Sequence, residues 1–347
     1  MSREKVIGPP PDDAAKKVDA ALRPKLLAEV IGQQRVRERL QIAVTASRKL
    51  NEPLGHILFD GPPGLGKTTF ATVLPNELGT NLQMTSGPAL AKPNDLMPFL
   101  TNLEEGGILF IDEIHRLPRV VEEFIYPAME DFRIDVVIGE GMNARTLNMA
   151  LKRFTLIGAT TRGGMLSGPM RDRFKMREHL DYYTVDELAE IVRVNAAKLN
   201  TPISLGACVE LARRSRGTPR VANARLHWAR IYAAGTQAGE LNITEGLAKE
   251  ALDRQEVDPF GLDKNDRRYL EVLVEAFGGG PTGGDALAAT LNIAGDTLSD
   301  DIEPYLLREQ YIVRSPRGRL ALPKAYRLLN RAVPPKPDDK SAGGLFE

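Results

Sequence analysis

The sequence is short of cysteine, of net charge and of long apolar runs, and each shortage excludes a class of protein. One cysteine, Cys208, in 347 residues leaves no internal disulfide framework and no cysteine-based zinc site, and it points to a reducing compartment. Lys plus Arg and Asp plus Glu each total 46. A uniformly basic nucleic-acid coat is therefore excluded, and any contact with a polyanion must come from local patches. No uninterrupted apolar stretch approaches the roughly 18 residues of a membrane span, and the polar stretch from Met1 to Asp13 has no apolar signal region. The expectation is a soluble cytoplasmic protein that uses no membrane. Internal repeats with periods of about 20–50 residues are also missing, which argues against a solenoid.

What is present reads as ordinary globular material, with 42% hydrophobic and 27% charged residues. At roughly 150 residues per domain the length suggests two or three domains. Residues 1–18 and 334–347, marked by Pro9-Pro10-Pro11 and Pro334-Pro335, read as flexible tails. Across 19–182 the apolar runs His56 to Phe59, Ile108 to Ile111 and Phe154 to Ala159 alternate with helical stretches, which predicts an α/β layer around a largely parallel sheet. Met84 is expected in its core. Across 183–256 the strand signal vanishes. Thr184 with Glu187 forms a capping box before a helix from Val185 to Leu199, and Pro219 opens another that stops near Gly235 and carries Trp228, read as core. Across 257–333 the pattern predicts helices from Asp263 to Phe277, Ala286 to Asn292 and Thr297 to Arg308, then a hairpin from Tyr311 to Leu322 about Pro316-Arg317-Gly318, an order that resembles a winged helix. Two windows are basic. Residues 306–331 hold seven basic side chains against Glu309, and residues 195–230 hold seven against Glu210; nucleic acid need not touch both.

The strongest chemical signal is Gly61-Pro62-Pro63-Gly64-Leu65-Gly66-Lys67-Thr68, a complete G-x-x-x-x-G-K-[ST] between a strand and a helix. Its backbone N–H groups and the following helix N-terminus suit phosphate, Lys67 reaches the β/γ-phosphates of ATP, and the Thr68 hydroxyl ligates Mg²⁺. Ile108 to Ile111 ends in Asp112-Glu113: Asp112 supports the metal, and Glu113 orients or deprotonates the attacking water, a role that a pure binding site would not need. Thr160-Thr161 closes the next strand, and Thr161 is the better candidate to sense the γ-phosphate. In Arg171-Asp172-Arg173-Phe174, Arg173 is either a cation aimed at a transferring phosphoryl group or a surface partner of Asp172. Arg220 either reports on the γ-phosphate or is an exposed helix charge. His115 has no partner nameable from sequence and reads as structural or coupling. Phe132 to Ile138 and Arg145 to Leu151, joined through Gly139-Glu140-Gly141, predict a hairpin whose Val136-Val137-Ile138 is either core or an exposed apolar docking site.

The strings GPPGLGKTT, ILFIDEIHRL, MEDFRIDVVIG, FTLIGATTR, MRDRF, RGTPR and SPRGR, with LRPK, VIGQ and EPYLL, occur in an order that resembles the RuvB family of bacterial Holliday-junction branch-migration motors. The likeness extends over roughly Leu22 to Leu329. It implies an AAA+ ATPase domain, an all-α lid and a DNA-binding winged helix, assembled as a homo-hexamer on duplex DNA at four-way junctions. A RuvA-like junction-recognition protein would dock on the 132–151 hairpin, and a RuvC-like resolvase would act with it indirectly. The resemblance assigns nucleotide contacts to Leu22, Arg23, Gly64, Lys67, Thr68, Thr69, Glu130, Asp131, Phe132, Tyr183 and Arg220. It makes Arg173 a finger acting on the neighbouring subunit's ATP and Thr161 the first sensor. Arg314 and Arg319 match DNA-contacting positions, and the cluster containing Arg317 suits phosphate.

The sequence departs from that family in four places. Pro75 should kink or end the helix after the phosphate loop. Phe174-Lys175-Met176 replaces Phe-Gly-Ile beside the finger. Gly295 stands where a DNA-contacting arginine is usual, and Met142 and Met149 alter the hairpin. Two competing readings keep part of this chemistry: a clamp-loader-like remodelling ATPase that needs no duplex track, and a DNA-binding regulator that uses ATP only to set its oligomeric state.

Overall fold

The computed structural model describes residues 22–138, 145–237 and 239–334. The tails expected at 1–18 and beyond Pro334, the hairpin tip Gly139-Glu140-Gly141 and Met142 lie outside the described residues. The chain divides after Ala248 into two compact units.

The first unit is built on a five-stranded parallel sheet of β1 (Ile57–Asp60), β2 (Leu82–Ser86), β3 (Gly107–Asp112), β6 (Phe154–Thr160) and β7 (Met176–His179), in the order β2-β3-β6-β1-β7. The three inner strands coincide with the three apolar runs, because a strand covered on both faces must be apolar throughout; every residue of β6 is buried. Strands β2 and β7 escaped the sequence reading. Leu-Gln-Met-Thr-Ser and Met-Arg-Glu-His carry no apolar run, since an edge strand has one neighbour and can stay polar. Met84 on β2 is accordingly 43% exposed rather than core. A separate antiparallel pair, β4 (Arg133–Ile138) with β5 (Arg145–Ala150), is the predicted hairpin. Ile134 is buried, and Val136 and Met149 pack on the same core. Val136 thus belongs to the inward face, while the side chains of Val137 and Ile138 lie outside those described.

The helix Lys67–Leu78 runs past Pro75 instead of ending there. Only one turn follows, and the N–H groups of Gly79 and Thr80 both donate to the Pro75 carbonyl, closing the helix end. Further along, Val185–Lys198 begins with both halves of the Thr184/Glu187 capping box in place, followed by Leu205–Arg213 and by Pro219–Thr236. Trp228 is half-buried against Tyr232, with ring centroids 6.4 Å apart, rather than in the core. The basic window 195–230 is only partly a surface patch, with Lys198, Arg213 and Arg220 exposed. Lys198 donates to the Leu22 carbonyl at 2.9 Å, Arg213 and Arg214 pair with Glu210, and Arg214 and Arg225 are buried.

The second unit holds the helix Lys264–Glu271, which continues as a π turn Val272–Ala276, then Gly284–Leu291 and Glu303–Arg308. The hairpin β8 (Ile312–Ser315) with β9 (Gly318–Ala321) follows. Tyr269, Leu270, Leu287, Leu306 and Tyr311 form its core. A short final helix, Pro323–Leu328, was absent from the sequence reading.

Candidate nucleotide and DNA sites

Because β3, β6 and β1 are neighbours, their C-terminal ends bring the phosphate loop, the paired acids and the threonines to one rim, where open α/β sheets place ligands. The loop needs glycine in two places. Gly61 has φ +136°, and a Cβ there would lie 2.6 Å from the Leu180 carbonyl oxygen; Gly64 has φ +80°, and a Cβ would meet the Arg220 side chain at 3.1 Å. Lys67 is buried, its Nζ donating to the carbonyls of Gly61 at 2.7 Å and Pro62 at 2.9 Å. Burial lowers its pKa, and the Glu113 and Asp112 carboxylates pull the other way. A desolvated ammonium on neutral carbonyls, facing a hollow of about 180 Å³, is a site made for an anion.

The same hollow is lined by Thr68, Asp112, Glu113, Thr161 and Arg220. Burial raises the carboxyl pKa of Asp112, while the Glu113 N–H donates to it at 3.0 Å. The Thr68 hydroxyl and the Asp112 carboxylate are hard oxygen donors and fit Mg²⁺. Glu113 sits in the left-handed region, φ 48° and ψ 46°, a strain that concentrates at working sites. The Thr161 hydroxyl donates to the Glu113 carboxylate at 3.1 Å. Thr160 points elsewhere, its Oγ1 lying 2.8 Å from His115 Nδ1, which is itself 3.2 Å from Glu113 Oε2. His115 therefore bridges the two, in keeping with the structural or coupling role read from its sequence, and Thr160 and Glu113 are the partners that the sequence could not name.

A second hollow of about 100 Å³ adjoins the first and is lined by Leu22, Val30, Phe70, Tyr183 and Asn223, with Arg23 and Thr69 bordering both. It is the more apolar of the two and suits a base beside the phosphates. The Tyr183 hydroxyl donates to the Leu65 carbonyl at 3.1 Å and its N–H to Gly217 at 3.0 Å, and the Arg220 N–H reaches the Gly64 carbonyl at 3.4 Å. Asn223, which no motif flagged, also faces the cleft, as does Pro219 of the RGTPR string, because the helix Pro219–Thr236 starts there.

Four residues predicted for the nucleotide site lie outside both hollows. Glu130, Asp131 and Phe132 end the helix Arg119–Glu130, where Glu130 pairs with Arg173 at 3.0 Å, Asp131 with Arg133 at 3.3 Å, and Phe132 meets Phe154 edge-on at 5.9 Å. Asp172 pairs with Arg177 at 3.3 Å, so the Arg173–Asp172 alternative is not the contact formed.

In the second unit, Glu303 is fully buried and accepts from Arg314 Nε at 2.8 Å, Arg319 Nε at 2.9 Å and the Tyr269 hydroxyl at 3.1 Å. Burial next to that carboxylate pushes the Tyr269 phenol well up. The basic window is also less bare than its count suggested: Arg308 and Lys324 pair with Glu309, and Arg331 pairs with Glu275. Arg317, exposed at the hairpin turn, has no acidic partner among the described residues.

A phosphate loop, paired acids and a threonine on adjacent strands of this parallel sheet, closed by a helical segment that carries Arg220, define a P-loop ATPase of the AAA+ type. Family models place it further. Residues 22–180 match the Holliday junction DNA helicase RuvB P-loop domain, 183–258 the RuvB AAA lid domain and 259–330 the RuvB C-terminal winged helix domain. The chain is 56% identical over 319 residues to the Holliday junction branch migration complex subunit RuvB of Rhodopirellula baltica, covering 92% of this chain and 87% of that protein. It superposes on the Thermotoga maritima RuvB Holliday junction branch migration motor with TM-score 0.81 and 43% identity, over 90% of this chain and 100% of that one. A point mutant of the same Thermotoga protein gives TM-score 0.82 and 44% identity over 90% and 99%. The chain belongs to the RuvB family.

Proposed function

We propose that this protein is an ATP-driven motor that moves Holliday junctions during DNA recombination and repair, including the SOS response to DNA damage. The observation that carries the reading is the conjunction of a complete hydrolytic rim with a winged-helix unit bearing basic side chains, both within a chain matched from 22 to 330 by the family's three models. The reading divides the chain into an ATPase domain at 19–182, a lid at 183–256 and a DNA-binding domain at 257–333. It takes the protein to work in the cytoplasm as a homo-hexamer, with a RuvA-like partner on the β4–β5 hairpin and a RuvC-like resolvase acting downstream.

Lys67 and the loop N–H groups hold the β- and γ-phosphates of ATP, and Arg220 faces the same end. Thr68 and Asp112 would hold Mg²⁺, which would supply charge neutralisation on the phosphate oxygens. Thr161 keeps the Glu113 carboxylate turned into the cleft, where it takes up the proton of the attacking water. Leu22, Arg23, Thr69 and Tyr183 enclose the base and sugar. Arg173 with Glu130, Asp131 and Phe132 forms a separate edge that serves the neighbouring subunit's nucleotide, which accounts for its distance from both hollows. Arg220, at the start of its helix, passes the phosphate state to the lid, and Arg314, Arg317 and Arg319 hold the duplex that is pulled.

The test is ATP-dependent dissociation of a synthetic four-way junction with the cognate junction-binding partner present and Lys67→Ala as control. Dissociation that needs ATP, the partner and Lys67 supports the motor. ATP hydrolysis without dissociation, or without stimulation by DNA, would favour a remodelling ATPase of the clamp-loader kind.

A further inference from the structure

Arg173 ends the six-residue helix Gly168–Arg173, too short to hold a side chain by its own helical bonds. Two of its three anchors come from the helix Arg119–Glu130 and the third from its own helix. The guanidinium carbon lies 3.9 Å from the centroid of the Tyr126 ring, Nη2 pairs with Glu130 at 3.0 Å, and Nη1 donates to the Pro169 carbonyl at 2.8 Å. Its Nε has no hydrogen-bond partner among the described residues, so the aromatic face is what that part of the group rests on. The same tyrosine reaches the other end of the short helix. Its hydroxyl donates to Glu122 and lies 3.4 Å from Ser167 Oγ; Ser167 also donates to Glu122 and caps the helix by accepting the Met170 N–H at 3.2 Å. One side chain thus holds the cap at one end and the cation at the other.

We propose that Tyr126 is the positioning residue of the arginine finger: its ring carries the Arg173 guanidinium, and its hydroxyl, through Glu122 and the Ser167 cap, sets the helix that presents it to the neighbouring subunit's nucleotide. The inference rests on the reading that Arg173 acts on that neighbour. Glu122, Ser167 and Arg173, the polar and cationic partners of Tyr126 among the described residues, line neither hollow, so its effect is felt in trans. A misplacement of about 1 Å at a transferring group lowers rates by as much as a hundredfold. Tyr126→Leu should therefore reduce the ATPase kcat of the assembled protein on the order of ten- to a hundredfold, with KM for ATP little changed. Tyr126→Phe keeps the ring, and should lose no more than roughly threefold.

The deciding experiment mixes full-length variants with Lys67→Ala chains, which cannot use ATP but carry an intact finger. Arg173→Ala mixed with Lys67→Ala should hydrolyse ATP faster than the two separately, and Tyr126→Leu mixed with Lys67→Ala should do the same. The double variant Lys67→Ala/Tyr126→Leu should fail to rescue Arg173→Ala. If Arg173→Ala is not rescued, the trans finger itself is wrong and the inference falls with it. If Arg173→Ala is rescued while the double variant rescues it equally well, Tyr126 does not position the finger. A Tyr126→Phe protein as inactive as Arg173→Ala would overturn the role of the ring even if Tyr126→Leu fails to fold.

Discussion

Removing the carboxylate of Glu303 should loosen the second unit by an amount that can be worked from its contacts. Its side chain is fully buried, and it binds two guanidiniums and one phenol. Deleting one member of a buried ion pair destabilises by about 3–5 kcal/mol when the survivor stays buried and charged. Here the survivors are partly wet, with Arg314 47% and Arg319 22% exposed, so each can turn towards solvent. Arg314 is then worth no more than about 1 kcal/mol. Arg319 and the buried Tyr269 hydroxyl lose a bond worth about 1–2 kcal/mol each. Glu303→Ala should therefore destabilise this unit by roughly 3 kcal/mol, and Glu303→Gln, which keeps an acceptor for Tyr269, by about half of that. Hydrogen exchange of the amides in 264–328, compared between wild type and variants, reads this free energy within the intact chain. The loss should persist at roughly 0.5 M salt, because screening acts weakly on a carboxylate without solvent contact. A loss below about 1 kcal/mol, or one abolished by salt, would show that the cluster behaves as a surface pair and that the reasoning from burial is wrong.

Four further outcomes are expected. Glu113→Gln should lower ATP turnover by roughly 10²–10⁴-fold while nucleotide binding, followed with a fluorescent ATP analogue, stays within a few-fold; unchanged turnover would remove Glu113 from water activation. Arg317→Ala should reduce the slope of log affinity against log salt for duplex DNA by about 0.9 and leave thermal stability unaltered. Arg319→Ala should weaken duplex binding and also lower stability, since it leaves Glu303 under-compensated; equal melting temperatures for the two arginine variants would contradict the difference in their burial. Pro75→Ala gives back a helix donor worth about 3 kcal/mol against roughly 1–2 kcal/mol of lost packing, so the melting temperature should rise; a fall would mean that the buried ring matters more than the missing bond.

Much of the nucleotide rim was legible in the residues because its chemistry is local. A glycine turn that must admit phosphate, a buried apolar strand ending in two acids and a capping box each impose a short, fixed pattern, and Gly61 to Thr68, Ile108 to Glu113 and Thr184 to Glu187 all stand where their patterns predict. What the pattern could not supply was adjacency. The strand order β2-β3-β6-β1-β7 brings Thr161 to Glu113 and His115 to Thr160, and no spacing along the chain encodes that order. Edge strands β2 and β7 stayed hidden because a strand with one neighbour needs no apolar run.

Charge shows the same division most plainly. The sequence determined by itself that the protein is neutral overall, that it carries a complete phosphate loop with paired acids, and that basic residues crowd 306–331. Only the tertiary structure decided which of those charges are available. It sent Arg214 and Arg225 inward, set Arg314 and Arg319 on Glu303, and left Arg317 exposed. It also gathered Arg173 with Glu130 and Tyr126 on an edge away from the nucleotide hollows. The reason is range: a motif is fixed by bonds and turns within a few residues, whereas burial and ion pairing depend on what the rest of the chain brings alongside.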